Sequence, residues 1–286
     1  MEALRFYDSI VLYKKTRYLL ILTIFIAINN TNCMLSEEVK TAYDNFYTNS
    51  DVAWRMLGAK YKAQNIVDVC KGLKPKKVLE VGAGDGSILH FLNEWHFAPE
   101  LYALEIAQSG VDIIKDRNLA SLKEAQTFDG YKIPYEDDAF DLIILAHVLE
   151  HVEYERILIR ELKRVAKYIV VEVPKDYRFG VDQRMKHFLD YGHINMYTPT
   201  SLRFLLQSEG LEILEDKVSM TAPETVKFNE FINRKASKTF FKNLKIELEY
   251  RIKKNLGNLF GKKKQEQFAN AYTVLTKKSD NNLHIF

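Results

Sequence analysis

The run Val78-Leu79-Glu80-Val81-Gly82-Ala83-Gly84-Asp85-Gly86-Ser87 carries an apolar strand into an acid and then into three glycines at alternate positions. Glycines at a strand-to-helix turn supply backbone angles that side chains forbid, and they let the main chain approach a ligand closely, so the run reads as a nucleotide cradle. Spacing selects among nucleotides. A dinucleotide fingerprint, Gly-x-Gly-x-x-Gly, needs its third glycine at position 87, whereas here it falls at Gly86, with Glu80 two residues before the first glycine. Lys77 to Val81 therefore reads as a buried strand, and Ser87 to Trp95 as a helix with Ile88, Leu89, Phe91 and Leu92 on its apolar side.

Three further blocks follow in order. The next strand, Leu101 to Leu104, ends in Glu105, roughly twenty residues past the glycines, where ribose-binding acids sit in doubly wound folds. Asp129-Gly130-Tyr131-Lys132-Ile133-Pro134-Tyr135-Glu136-Asp137-Asp138-Ala139-Phe140-Asp141 precedes the apolar strand Leu142 to Ala146, and His147-Val148-Leu149-Glu150-His151-Val152 follows it. Tyr191-Gly192-His193-Ile194-Asn195-Met196-Tyr197-Thr198-Pro199 comes next, ahead of Ser201-Leu202 and Leu205-Leu206.

Taken together, the blocks resemble the motifs of class I S-adenosylmethionine (SAM) methyltransferases, in their small-molecule branch, across about residues 77 to 210. The resemblance implies SAM as cofactor, held at Glu80, Gly82, Ala83, Gly84, Asp85, Gly86, Glu105, Ile106, Asp129, Gly130 and His147. It sets Glu80 near the methionine end, Glu105 on the ribose and Asp129 at the adenine amino group. Each block alone has a plainer reading: a glycine turn common to doubly wound proteins, a solvated strand end at Glu105, an ordinary turn at Asp129-Gly130.

A chain of 286 residues, 47% hydrophobic and 28% charged, is long enough to bury a full core. Strands near 77–81, 101–105, 121–125, 142–146, 168–173, 211–218 and 271–277 alternate with helices near 109–117, 154–167 and 199–209. Ile157, Leu158, Leu162 and Val165 form the stripe of the middle helix, and Gly210 closes the last. The expected fold is α/β and Rossmann-like, with a seven-stranded, mostly parallel sheet covered by helices on both faces. No repeat is visible, and Cys33 and Cys70 are isolated, which argues against a disulfide framework or a metal-type pair.

Two segments lie outside that core. Tyr18 to Ile28 is apolar after Lys14, Lys15 and Arg17, but eleven residues are too few to cross a bilayer. No small-x-small cleavage site follows. Residues 1–33 read as an upstream extension, with Met34 the natural start and a membrane anchor the second reading; either leaves the catalytic domain on the cytoplasmic side, with the inner face of the membrane as its second location. A helical cap over 34–74, with Ser50 capping a helix before Trp54, Met56, Ile66 and Val67, then leads into a core over 75–222. An insertion over 223–268 precedes the last strand and tail, 269–286.

Within that insertion, residues 234–264 carry eleven lysines and arginines against Glu247 and Glu249, a net +9 in a chain of net +3. Phe241, Leu244, Leu248, Ile252, Leu256 and Leu259 recur every three to four residues, the pattern of a basic amphipathic helix. One reading is a lid whose stripe packs on the core; another is contact with an anionic membrane surface or attraction of a phosphorylated substrate. Nucleic acid fits poorly, because interleaved exposed aromatics are missing.

For the chemistry, the protein must hold a nucleophile in line with an activated methyl group and remove a proton if the nucleophile is a hydroxyl. Glu150, His151 and His193 are the candidate catalytic residues, with His151 or His193 as base. Alternatively these three hold a divalent ion, as the resemblance to ubiquinone-pathway and small-RNA O-methyltransferases implies; there Glu-x-x-Glu-His follows the same strand, but His147 stands here in place of the first acid, which weakens that reading because hard ions prefer oxygen. The plainest alternative is that Glu-His merely caps the turn. The favoured acceptor is a hydroxyl of a small molecule, a sugar or lipid-linked intermediate. A quinone-like ring, or a SAM-binding regulator without turnover, are the alternatives. Acceptor identity and oligomeric state are not legible in sequence.

Overall fold

The computed structural model describes residues 52–177 and 192–279, together with Val181 and Phe188. The expectations about residues 1–33, Met34, Ser50 and Tyr191 lie outside the described residues.

Seven strands build one sheet: β1 (Lys77–Val81), β2 (Glu100–Glu105), β3 (Leu122–Thr127), β4 (Phe140–Ala146), β5 (Ala166–Pro174), β6 (Leu211–Ser219) and β7 (Ala271–Lys278). Their order is β3-β2-β1-β4-β5-β7-β6. Neighbours from β3 to β5 run parallel, while β7 is antiparallel to both β5 and β6. This is the seven-stranded, mostly parallel α/β sheet expected. The two central strands explain the apolar runs: β1 is buried from Val78 to Val81 and β4 from Leu142 to Ala146, as strands covered on both faces must be.

Helices follow strands as α1 (Val52–Val69), α2 (Ser87–Glu94), α3 (Gln108–Asp116), α4 (Glu155–Val165) and α5 (Pro199–Ser208). Thr198 caps α5 in a reciprocal box with Ser201, Pro199 occupies its first turn, and Gly210 leaves it at φ 75°. α1 buries Ala59, Ala63 and Ile66 in the same core as Ile88, Leu89 and Leu92 of α2. Between β6 and β7 lie α6 (Pro223–Phe228), a π-helical turn (Asn229–Asn233), α7 (Phe240–Phe260) and α8 (Lys262–Phe268).

Three expectations need correction. The helix placed at 154–167 ends at Val165, because Ala166 is already extended and pairs with Phe140 as the first residue of β5. Its buried stripe is Leu158, Ile159, Leu162 and Val165, leaving Ile157 38% exposed. Ile157 lies about 100° round the helix from Leu158 and about 200° from Ile159, outside the arc the stripe covers. Finally, the basic segment is not one helix over 234–264: Gly261, at φ 76°, breaks it between α7 and α8.

Truncating Ile159 to Ala should cost about 2–5 kcal/mol, the range for a fully buried aliphatic side chain. Ile157→Ala should cost less than half of that in the same urea titration.

Candidate active site

The glycine bend after β1 is strapped to the tip of β2. Gly82 and Ala83 donate their N–H groups to Leu104 O at 2.8 and 3.0 Å, and Gly84 N–H donates to Glu105 Oε2 at 2.7 Å. Gly82, Gly84 and Gly86 all have positive φ, of 70°, 59° and 72°. Space as well as torsion demands glycine at the first: a Cβ there would lie 2.4 Å from Val148 Cγ2, where the segment leaving β4 crosses the bend. Glu105 also receives Ala107 N–H at 3.3 Å, so its carboxylate is held on either side of the half-buried Ile106. Phe128 N–H donates to Glu105 O at 3.1 Å, which draws the Asp129-Gly130 turn toward the same tip. There Asp129 Oδ1 accepts from Tyr131 and Lys132 N–H at 2.9 and 2.6 Å.

Asp85 is placed differently from its neighbours. It is buried, accepts from Ser87 N–H and Oγ at 3.1 and 2.6 Å, and pairs with Arg117 Nη2 at 3.0 Å and Arg55 Nε at 3.4 Å. It therefore ties the cradle to α1 and to the end of α3. Glu80 is 1% exposed, and its Oε2 has no hydrogen-bond partner among the described residues. Burial, then the charge of Asp85 and that of Glu105, push its carboxyl well above the usual 4.5, against the pull of Lys62.

The second half of the site forms where β4 ends. His147 takes the left-handed conformation at φ 57°, and its N–H donates to Glu172 O at 2.8 Å. That reversal starts the 3₁₀ turn Leu149–His151, which lowers Glu150 into the interior. His147 bridges two buried acids: Nδ1 lies 3.4 Å from Glu150 Oε1, and Nε2 lies 3.3 Å from Glu172 Oε1. Burial and the charge of Lys62 work to lower the imidazole, but hydrogen bonding to both carboxylates outweighs them and raises it above the usual 6.5. Burial opposes ionisation of Glu150 and Glu172 as well, and His147 holds both below 4.5.

The 193–197 segment lies against this turn. Ile194 and Asn195 N–H donate to Glu150 O at 2.9 and 3.0 Å, and Asn195 Nδ2 reaches Val152 O at 2.6 Å. His193 is thereby set beside His151, with ring centroids 4.9 Å apart. His151 Nδ1 contacts Gly192 O at 3.0 Å, and His193 Nδ1 contacts Asp176 Oδ2 at 2.5 Å. With Nδ1 donating to an oxygen in both rings, the neutral imidazoles carry their lone pairs on Nε2. Burial holds His151 below the usual 6.5, only partly offset by Glu150. Among the described residues neither oxygen of Glu150 has an aligned hydrogen bond, and one ligand atom each from Glu150, His151 and His193 fall within 4.8 Å of one another. Such a set serves proton transfer to an imidazole, or capture of a cation by two nitrogens and an oxygen.

Sequence reasoning missed five participants: Glu172, Asn65, Thr273, Asp176 and Lys62. Glu172 accepts from Asn65 Nδ2 at 3.1 Å and Thr273 Oγ1 at 2.6 Å, and Asp176 orients His193. Glu172 left a signal: it is a lone carboxylate in the apolar run Ile169-Val170-Val171-Glu172-Val173. Lys62 left none. It stands one turn before Asn65 on α1, where the charges of Glu172, Glu150, Glu80 and Asp85 act on it, yet burial still pulls its ammonium below 10.5.

Residues 58–216 match the family model described as a methyltransferase domain. Norajmaline N-methyltransferase from Rauvolfia serpentina is 30% identical over 117 residues, which cover 40% of this chain and 40% of that enzyme. Demethylmenaquinone methyltransferase from Thermotoga maritima is 22% identical over 191 residues, covering 57% of this chain and 78% of that protein. The chain spans two-fifths or less of the length of the first curated relatives it matches. Among solved structures, geranyl diphosphate C-methyltransferase from Streptomyces coelicolor A3(2) superposes with TM-score 0.53 at 10% identity, covering 76% of this chain and 78% of that one. Magnesium protoporphyrin IX methyltransferase from Synechocystis PCC 6803, solved with bound SAH, gives TM-score 0.51 at 14% identity, covering 81% and 89%. At those identities the structures share a fold and nothing finer.

Glu80 supplies a test of the cradle's electrostatics. A carboxyl whose folded value is raised ionises in the unfolded chain first, so it lowers stability as pH climbs from 4.5 toward the folded value. Thermal melts of unliganded Glu80→Gln should therefore gain on the wild type progressively over that window, and a gap independent of pH would count against the assignment.

Proposed function

The chain belongs to the SAM-dependent methyltransferase family, and from that premise we propose that it methylates a hydroxyl of a small molecule held over Glu150, His151 and His193. The observation that carries the reading is the pairing of two imidazoles, 4.9 Å apart, each with Nδ1 committed to an oxygen and one backed by the buried Asp176. A carboxylate behind an imidazole fixes its tautomer and ring orientation.

The residues present fit the donor. Three left-handed glycines, two of them (Gly82 and Gly86) with no room for a Cβ, allow close main-chain approach, and Glu80 keeps a buried oxygen unpartnered among the described residues in the same cradle. Gly82, Ala83, Gly84 and Gly86 would line it, with Glu80 toward the methionine end, Glu105 toward the ribose and Asp129 toward the adenine. SAM supplies, when bound, a methyl group already activated on a sulfonium sulfur. The protein then contributes position and a proton acceptor: the buried 3₁₀ turn and the 193–197 strap fix where an acceptor sits, and Nε2 of His151 or His193 receives the hydroxyl proton. A sugar or lipid-linked intermediate is the acceptor class we favour; a quinone-like ring would use the same base.

A second reading rests on the same trio, as ligands of a divalent ion. Two imidazoles and one carboxylate suit zinc, manganese or iron better than magnesium, which takes oxygen ligands. His147 is engaged with Glu150 and Glu172 and stands apart from that set.

Transfer of labelled methyl from SAM to the small-molecule fraction of a cell extract should be readily detected with the wild type. His193→Ala should lower the rate about a hundredfold or more while calorimetric SAM binding stays intact. SAM binding with no transfer to any fraction would instead mark a regulator. Full activity after exhaustive chelation would remove the metal reading, and metal retained through purification and lost in His193→Ala would favour it.

A further inference from the structure

α7 is built inside out. Its inward side carries Asn243, Ile246, Glu247, Tyr250 and Gly257, all at least half-buried, and Glu247 is held by Lys227 Nζ at 2.6 Å, while Leu256 sits on the other side, along the apolar groove. Its outward side carries Phe241, Leu244, Leu248, Ile252 and Leu259, at spacings of three, four, four and seven, and all of them are exposed. Such spacing draws one continuous line along a helix. The lid expected from sequence, with this stripe packed on the core, is therefore not what the fold contains: Phe241 is 79% exposed and Leu259 75%. With Phe240 and Phe260 beside them at each end, three phenylalanines alone leave on the order of 400 Å² of apolar surface in water. A patch of that size on a folded chain marks an interaction site.

The helix cannot simply roll over to hide the stripe. Lys262 of α8 pairs with Asp216 at 2.6 and 2.9 Å, Glu266 pairs with Arg203 at 3.0 Å, and Lys175 Nζ donates to Glu266 O at 2.5 Å, all on the main body. Gly257 is packed on Gln265, where a Cβ would lie 3.1 Å from Gln265 Cγ, so α7 and α8 turn as one piece. At the other end Tyr61 of α1 donates to Glu224 of α6.

Charge identifies what covers the stripe. Lys242, Lys245, Arg251 and Lys254 of α7 are exposed and make no ion pair among the described residues, and Lys245 lines the same shallow groove as Phe241, Leu244, Leu248 and Ile252. We infer that α7 docks on an anionic lipid surface, its apolar line entering the headgroup boundary and its lysines meeting the lipid phosphates and carboxylates. A second copy of this face is a poor occupant, because α7 carries Lys242, Lys245, Arg251, Lys253 and Lys254 against Glu247 and Glu249 and would set a net +3 against +3. No helix among the described residues is long and apolar enough to cross a membrane, and α7 carries charge along its length, so the contact made by α7 is interfacial. The inference does not depend on which acceptor is methylated.

Sedimentation of the full chain with vesicles tests it. Vesicles of phosphatidylcholine with about a third phosphatidylserine should carry the protein down, and phosphatidylcholine alone should do so far less. Raising salt to about 0.5 M should weaken binding about tenfold or more, since the Debye length shrinks below the spacing of the charges. L244E combined with L248E should weaken binding to the anionic vesicles by about tenfold or more, whereas I157E, an exposed apolar position on α4, should leave it unchanged. Matching circular dichroism and SAM calorimetry among the three proteins exclude misfolding. Equal binding by the L244E/L248E protein, equal binding to both vesicle types, or no binding at all would each overturn the inference. So would a dimer in analytical ultracentrifugation that the same two substitutions dissolve.

Discussion

The hinge of this molecule is a set of short main-chain hydrogen bonds between two neighbouring strand tips. Gly82, Ala83 and Gly84 can point their N–H groups at Leu104 O and Glu105 only because the bend runs through left-handed torsions. β-carbons are disfavoured in that region of backbone space. The same torsions bring Gly82 against Val148, so the chain leaving β4 crosses directly over the bend. One backbone choice thus sets both halves of the site: the cradle beyond β1 and the histidine turn beyond β4. Asp85 then ties the cradle to Arg55 and Arg117, and α1 closes over it.

Electrostatics in the cleft follow from what the sheet buries. Four carboxylates, of Glu80, Glu105, Glu150 and Glu172, stand at 3% exposure or less at the carboxyl ends of parallel strands. Buried acids must be paired, hydrogen-bonded or kept neutral. Each finds a different answer here. Glu105 takes backbone N–H groups, Glu172 takes Asn65, Thr273 and His147, Glu150 relies on the flanking imidazoles, and Glu80 is driven toward the neutral form. An environment that holds neighbouring titratable groups apart in this way is the kind that acid–base chemistry and cationic ligands exploit.

Legibility in sequence differed from one element to the next for identifiable reasons. β1 was bounded to the residue, because an apolar run between Lys77 and a glycine bend leaves nothing to choose. β5 began two residues early because no breaker separates Val165 from Ala166, and a helix can pass directly into a strand. Ile157 was taken for a core residue because, in the run Ile157-Leu158-Ile159, periodicity alone cannot settle which end of the run turns out to solvent. Cradle residues were findable because glycine spacing is a local signal. Lys62, Asn65 and Asp176 were not, since each acts on partners far off in the chain: Asn65 on Glu172, 107 residues on, and Asp176 on His193, 17 residues on.

By itself, the sequence determined the order of strands and helices, the cradle and its glycines, and the family, because all of these rest on short-range patterns of burial and backbone torsion. Tertiary structure alone decided which acids stay buried without a partner, which imidazoles meet, and which side of α7 faces water. An amphipathic pattern states that a helix has two faces; only the packing of its inward side, Glu247 paired with Lys227 and Gly257 close against Gln265, turned the apolar one outward.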